Sequence, residues 1–237
     1  MIQIIFKPYK VSLLFLSIVL FLTLVHCIVL VVFFHFDYPD LINFVHWFDL
    51  DIEKNIPSLY SSFAILICSF LFFIIAQYEK KDFDYEYLYW FFLGLIFLFL
   101  SLDEAFQIHE SIGDITENYI HSTGFLYFPW VVPYGFAVII FILIYLKFSL
   151  RLPKKTTLLF ILSGSLYLTG AIVFDMLGGR EAELNGYDSV TYSTLYTIEE
   201  FLEMIAIVVL LYALLLYIER RFGYLCITLQ IKAEENV

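Results

Sequence analysis

Six apolar runs, each long enough to cross a bilayer, decide what this 237-residue chain can fold into. About 20 apolar residues span a ~30 Å hydrocarbon core, and such runs lie near 11–36, 58–77, 88–110, 129–148, 157–178 and 196–218. Water does not reach the backbone there, so every N–H and C=O must pair internally, which for a continuous run means a helix. The expected fold class is all-α: one integral membrane bundle of six transmembrane helices occupying 1–237 as a single domain. Composition agrees, with 62% of residues hydrophobic and 16% charged, against about a quarter charged in a soluble domain. Lys7 and Lys10 ahead of the first run resemble the start of a signal peptide. That run is too long for a signal core and has no small-residue cleavage site, so a retained helix is expected.

Orientation follows from basic residues rather than from the net charge of −11. Lys7, Lys10, Lys80, Lys81, Lys147, Arg151, Lys154, Lys155, Arg220, Arg221 and Lys232 all fall at one set of helix ends, leaving Lys54 and Arg180 at the other. The positive-inside rule then predicts both termini in the cytoplasm. In the first outer loop, Leu41, Phe44, Val45 and Phe48 share one helical face beside Trp47, which predicts a short helix over 39–49 lying in the interface.

Acidic side chains load the opposite, outer ends of these same runs. Ser101-Leu-Asp-Glu-Ala-Phe-Gln-Ile-His-Glu110 closes the third, and Glu199-Glu-Phe-Leu-Glu-Met204 opens the sixth. Ionisable groups at membrane depth are costly and mark pathways, relays or sites. At 1.5 Å rise per residue, Asp103 lies roughly 22 Å along the third span and Glu203 roughly 12 Å into the sixth, which puts them in one slab with Asp175. Asp103, Gln107, Glu110 and Asp114 follow i, i+4, i+7, i+11 and are expected on one stripe of a continuous helix. Glu199, Glu200 and Glu203 form a second cluster at i+3 and i+4 spacings.

So many carboxylates at one depth repel unless protons or a cation are shared among them. Arg180, beside an expected Gly178-Gly179 turn, and a protonated His109 are too few to neutralise them. The candidate metal ligands are Asp103, His109, Glu110, Asp175, Glu199 and Glu203, with Glu104 or Glu200 as general base and Gln107 and Arg180 in support. One His among carboxylates suits Zn²⁺, Mn²⁺ or Fe²⁺, and an all-oxygen set suits Ca²⁺ or Mg²⁺. Asp49-Leu-Asp-Ile-Glu-Lys-Asn55 alternates oxygen-bearing side chains, so Asp49, Asp51, Glu53 and Asn55 form a candidate second cation site. The competing structural reading makes Asn55 or Ser58 the cap of the second span, with Pro57 in its first turn. Cys27, Cys68 and Cys226 have no framework spacing. The chain carries no phosphate loop and no nucleic-acid signature, so neither a nucleotide nor a nucleic-acid partner is expected. His26 lacks a matching His at its depth, which disfavours haem.

The segments Phe48–Ser62, Leu100–Glu110 and Thr197–Met204 resemble a family of uncharacterised bacterial multi-pass membrane proteins from the second span through the sixth. That resemblance implies a location in a bacterial inner membrane and attaches no activity. Asp51, Glu53 and Asn55 are also faintly similar to the calcium motif of alkaline ceramidases and related membrane hydrolases. Those hydrolases carry His-x-x-x-His on a late helix, where this chain has Glu199 and Glu203. Three functions remain open: a metal-dependent hydrolase acting on a lipid or lipid-linked substrate, a proton- or cation-coupled transporter or sensor, and a structural subunit of an oligomer or partner complex.

Overall fold

The structure is a computed structural model that describes residues 2–35, 46–80 and 85–229. In chain order its helices are α1 (Pro8–His35), α2 (Ile56–Glu79), α3 (Tyr87–Phe106), α4 (Ile108–Glu117), α5 (Val131–Arg151), α6 (Lys154–Leu168), α7 (Asp175–Asn185) and α8 (Val190–Phe222). A π-helical stretch, Thr169–Phe174, joins α6 to α7 without a break. Among the described residues six helices, counting 154–185 as one, are long and apolar enough to cross a membrane. Among the described residues the one pairing of strands is antiparallel, between β1 (Ile2–Ile5) and β2 (Cys226–Leu229), and it ties the two described ends of the chain together.

Helix α8 is the axis of the bundle and packs against α1, α2 and α6. In its most apolar window 67% of residues are buried, against 17% in α5, which is therefore peripheral. The outward faces of α1 and α5 carry exposed Leu13, Leu14, Phe21, Ile139, Ile140 and Leu143. Lipid is as apolar as these side chains, so helix association must come from close packing and interhelical hydrogen bonds. Ser163 Oγ donates to Ala206 O at 2.7 Å, Ser69 Oγ to Gly94 O at 2.7 Å, and Ser62 and Ser101 exchange hydroxyl-to-carbonyl bonds at 2.8 and 2.9 Å. A Cβ on Gly94 would lie 2.6 Å from the Phe73 ring, so a larger residue there forces that ring to move.

The basic half of the bundle is filled by aromatics. Trp90 is buried between Tyr217 (ring centroids 4.9 Å), Phe148 (5.1 Å) and Phe72 (6.0 Å). Arg151 pairs with Glu86 at 2.9 Å and Arg221 with Glu79 at 3.3 Å at this end.

Three local features depart from the sequence reading. The third span does not run unbroken to residue 110: Gln107 takes a left-handed conformation (φ 58°) and α4 starts afresh at Ile108. The expected single stripe through Asp103, Gln107, Glu110 and Asp114 is therefore broken. Gly178 and Gly179 lie inside α7 rather than in a turn, and a Cβ on Gly179 would lie 3.0 Å from the Phe128 ring. Most of the interfacial helix expected over 39–49 falls on 36–45, outside the described residues; 46–48 are helical.

Candidate functional site

The site is assembled from the first loop downward. Asn55 caps α2: its Oδ1 accepts from Ser58 N (3.2 Å), and Ser58 Oγ accepts from Asn55 N (3.0 Å), with Pro57 in the first turn. Its amide also donates to the carbonyls of Asp49 and His46. Asn55 thus has the capping role, and it folds 46–55 back over the bundle. His26, fully buried in α1, holds the loop from below. Its Nδ1 accepts from Leu50 N (3.2 Å) and its Nε2 meets Thr197 Oγ1 at 3.0 Å. Because Nδ1 receives a backbone N–H, the ring proton belongs on Nε2. Two tyrosines of α8 complete the anchoring, with Tyr192 OH donating to Asp51 at 2.8 Å and Tyr196 OH to Asp49 at 3.1 Å.

This placement brings Glu53 to His109. The break at Gln107 turns α4 so that Asp103 Oδ1 accepts the His109 backbone N–H at 2.6 Å. An anion here satisfies one of the orphan donors at the helix start. The same oxygen lies 3.1 Å from His109 Nδ1, and Tyr134 OH donates to Asp103 Oδ2 at 2.7 Å. His109 Nε2 then points at Glu53 Oε1, 3.3 Å away. One ligand atom each from Glu53, His109 and Glu110 lies within 4.8 Å of the others, so this group has the spacing to hold a metal ion. Glu53 Oε2 is buried with no hydrogen-bond partner, and the Trp130 ring packs edge-on to His109 at 5.3 Å.

Electrostatics here is dominated by anions. Burial alone would lower the His109 pKa, but hydrogen bonds and charge from Asp103 and Glu53 outweigh it and push the imidazole up to about 11. Burial raises the Glu110 carboxyl, with Glu53 adding to the shift and His109 and Lys54 opposing it. Asp51 exposes its surface to a cavity; loss of hydration drives its carboxyl up to about 6 despite the Tyr192 hydrogen bond.

That cavity has a volume of about 530 Å³ and is bounded by Asp51, Glu53, His109, Glu110, Asp114, Glu117, Asp175, Glu199 and Glu200, with aromatic walls from Tyr127, Phe128, Trp130, Tyr187, Tyr192 and Tyr196. Of the six residues expected as metal ligands, His109 and Glu110 meet in one group, and Asp103 stands behind His109. Asp175 and Glu199 line the cavity apart from that group. Glu203 lies deeper, hydrogen-bonded to Tyr167 and within the field of Glu104. Glu200 reaches the cavity lining; Glu104 interacts with Glu53, His109 and Asp103 from behind it. Gln107 contributes the backbone turn. Arg180 is exposed, with its guanidinium 4.6 Å above the Phe125 ring, and is not among the cavity-lining residues.

Sequence reasoning did not pick out Tyr167, and it assigned Glu53 to a separate loop site. Helix parity carried the missed signal, since the first loop must return at the same end as His109.

No curated protein and no solved structure matches the chain, so the resemblance to alkaline ceramidases has no counterpart among them. Residues 13–218 match the family described as Domain of unknown function (DUF8692), and the chain belongs to that family of unassigned activity.

Proposed function

We propose that the protein is a membrane-embedded, divalent-metal-dependent hydrolase whose metal is held by Glu53, His109 and Glu110 at the non-cytoplasmic end of the bundle. The orientation of His109 carries this reading. With Nδ1–H committed to Asp103, the Nε2 lone pair of the neutral ring faces Glu53, beside Glu110. A carboxylate behind a histidine fixes its tautomer and raises its basicity as a ligand. One imidazole with two carboxylates suits Zn²⁺, Mn²⁺ or Fe²⁺. Such an ion supplies Lewis acidity that lowers the pKa of a water in the cavity.

The chain's own groups supply the remainder. Glu200 borders the cavity and is the general base; Asp103, itself held by Tyr134, orients the His109 ring, and Trp130 packs against it. Asp103 and Glu104 lie in the last turn of the third span, so the metal group sits next to the end of a helix apolar enough to cross a membrane, within reach of a substrate borne by a bilayer. The aromatic packing around Trp90 closes the basic half, which favours a one-sided reaction over passage through the bundle. The positive-inside rule places the basic end in the cytoplasm.

Element-resolved metal analysis of detergent-purified protein tests the reading. About one equivalent of Zn, Mn or Fe is expected, with at least tenfold loss in His109→Ala and in Glu110→Gln. Metal retained at full stoichiometry in both variants rules the site out. Metal retained alongside unchanged hydrolysis of lipid esters in Glu200→Gln rules out the assigned base.

A further inference from the structure

Part of the cavity lies outside the metal group, and among the described residues no Lys or Arg lines it. Six of the residues lining that part are Asp or Glu (Asp51, Asp114, Glu117, Asp175, Glu199 and Glu200). His109 is already engaged by Asp103 and Glu53, and Arg180 sits over Phe125. Asp175 is the group that points to a guest. It is 7% exposed, it borders the cavity, and its Oδ2 is buried without a hydrogen-bond partner. A buried carboxylate oxygen left unpaired costs its full desolvation, so such groups are satisfied by a partner.

The sequence places Asp175 at the first residue of α7, where the π-helical stretch Thr169–Phe174 ends. π-Bulges of this kind are frequent at functional sites. Asp175 shares its electrostatic surroundings with Asp51 and Glu199, which come from the first loop and from α8.

Spacing and walls together select the kind of cation. Among the described residues, Glu53, His109 and Glu110 are the one group of three acids or histidines whose ligand atoms close to within 4.8 Å. Asp51, Asp175 and Glu199 are therefore too widely set to wrap one bare ion. An ammonium group, donating at about 2.9 Å to each partner, bridges a wider gap. Beside them, Tyr187 packs edge-on to Tyr192 (5.3 Å) and Tyr192 lies against Tyr196 (5.2 Å), which gives a continuous aromatic wall. Aromatic faces attract ammonium groups and are the common device for recognising them. A cavity of about 530 Å³ falls within the ~300–1,000 Å³ range of small-ligand sites.

We propose that the part of the cavity bounded by Asp51, Asp175 and Glu199 and walled by Tyr187 and Tyr192 binds the ammonium group of an organic amine, carried on a lipid headgroup or on a free small molecule. As an assignment of substrate class it rests on the hydrolase reading, because it names what sits beside the metal.

The test uses full-length protein in detergent, titrated with ethanolamine and with dihexanoyl phosphatidylethanolamine. Ethylene glycol and dihexanoyl phosphatidylglycerol serve as controls without an amine. Calorimetry and tryptophan fluorescence are the readouts, since Trp130 lines the cavity. Saturable binding of at least one amine and of neither control is expected, weakened at least tenfold in Asp175→Asn and several-fold in Tyr187→Ala, a half-exposed rim position. Tighter binding of the phospholipid than of ethanolamine identifies a headgroup as the source; the reverse identifies a free amine. Equal binding of the controls, no binding of any amine, or unchanged binding in both variants overturns the proposal. Metal content measured on the same samples reports separately on the hydrolase reading. Amine binding without metal removes that reading alone, and metal without amine binding removes this inference alone.

Discussion

Under the proposed function, metal and proton would compete for one atom, Nε2 of His109, and that competition would set the behaviour of the site with pH. In metal-free protein the imidazole is raised from 6.5 to about 11, so the proton favours the folded state. Its contribution is complete below about 6.5 and is lost as pH climbs toward about 11. Asp51, raised to about 6, acts with the same sign at lower pH, its share fading between about 4 and 6. Chelator-treated protein is therefore expected to melt at falling temperature from pH 6.5 to 10, and His109→Gln to flatten that slope. A slope unchanged by the substitution would show that other groups set it. Because metal must displace this proton, apparent metal affinity is expected to fall about tenfold per pH unit of acidification. Asp103→Asn keeps an acceptor but removes the charge behind the ring, and a 10–100-fold loss of metal affinity is expected by titration.

At the scale of elements, the site depends on how three segments begin or bend. Asn55 serves at once as cap of α2 and as tether of the first loop through the carbonyls of His46 and Asp49. Asn55→Ala is expected to cost about 1–2 kcal/mol in unfolding measurements and to release Glu53, so metal should be lost along with stability. The approach of the π-helical stretch to α8 is closer still. A Cβ on Gly170 would lie 2.8 Å from the Glu199 carbonyl oxygen and 3.0 Å from Glu203 Cγ. Gly170→Ala must push α8 away at its carboxylates, and a loss of about 1–3 kcal/mol is expected. Gly164→Ala is the matched control: it has open space around it and should be silent in the same unfolding assay.

For the whole molecule, the division of labour is between a closed basic half and an open acidic half. Trp90→Ala empties a fully buried aromatic position and is expected to cost about 3–5 kcal/mol while leaving metal stoichiometry unchanged. Orientation is checked by a membrane-impermeant thiol reagent on intact cells. Cys226, exposed within the terminal ribbon, should stay unlabelled, whereas Tyr119→Cys, at an 85% exposed position of the acidic end, should label. The opposite pattern would place the site in the cytoplasm.

Much of this architecture was legible in the residue order, and the limits have a physical cause. Hydrophobic length alone dictated six helices long and apolar enough to cross a membrane, because backbone polar groups in lipid have no other way to pair. The placement of Lys, Arg and acids sorted the helix ends, whereas the single stripe that helical periodicity predicted through Asp103, Gln107, Glu110 and Asp114 is divided at Gln107. Periodicity says nothing of how a helix is rotated against its neighbours. Nor does it register a left-handed residue such as Gln107, whose conformation is stabilised by what Asp103 accepts from the next helix. Only the tertiary structure decided that Glu53 from the first loop would meet His109 and Glu110 while Asp103 turned behind the ring. That choice is made by long-range packing and by a few buried hydrogen bonds, none of them written in local sequence.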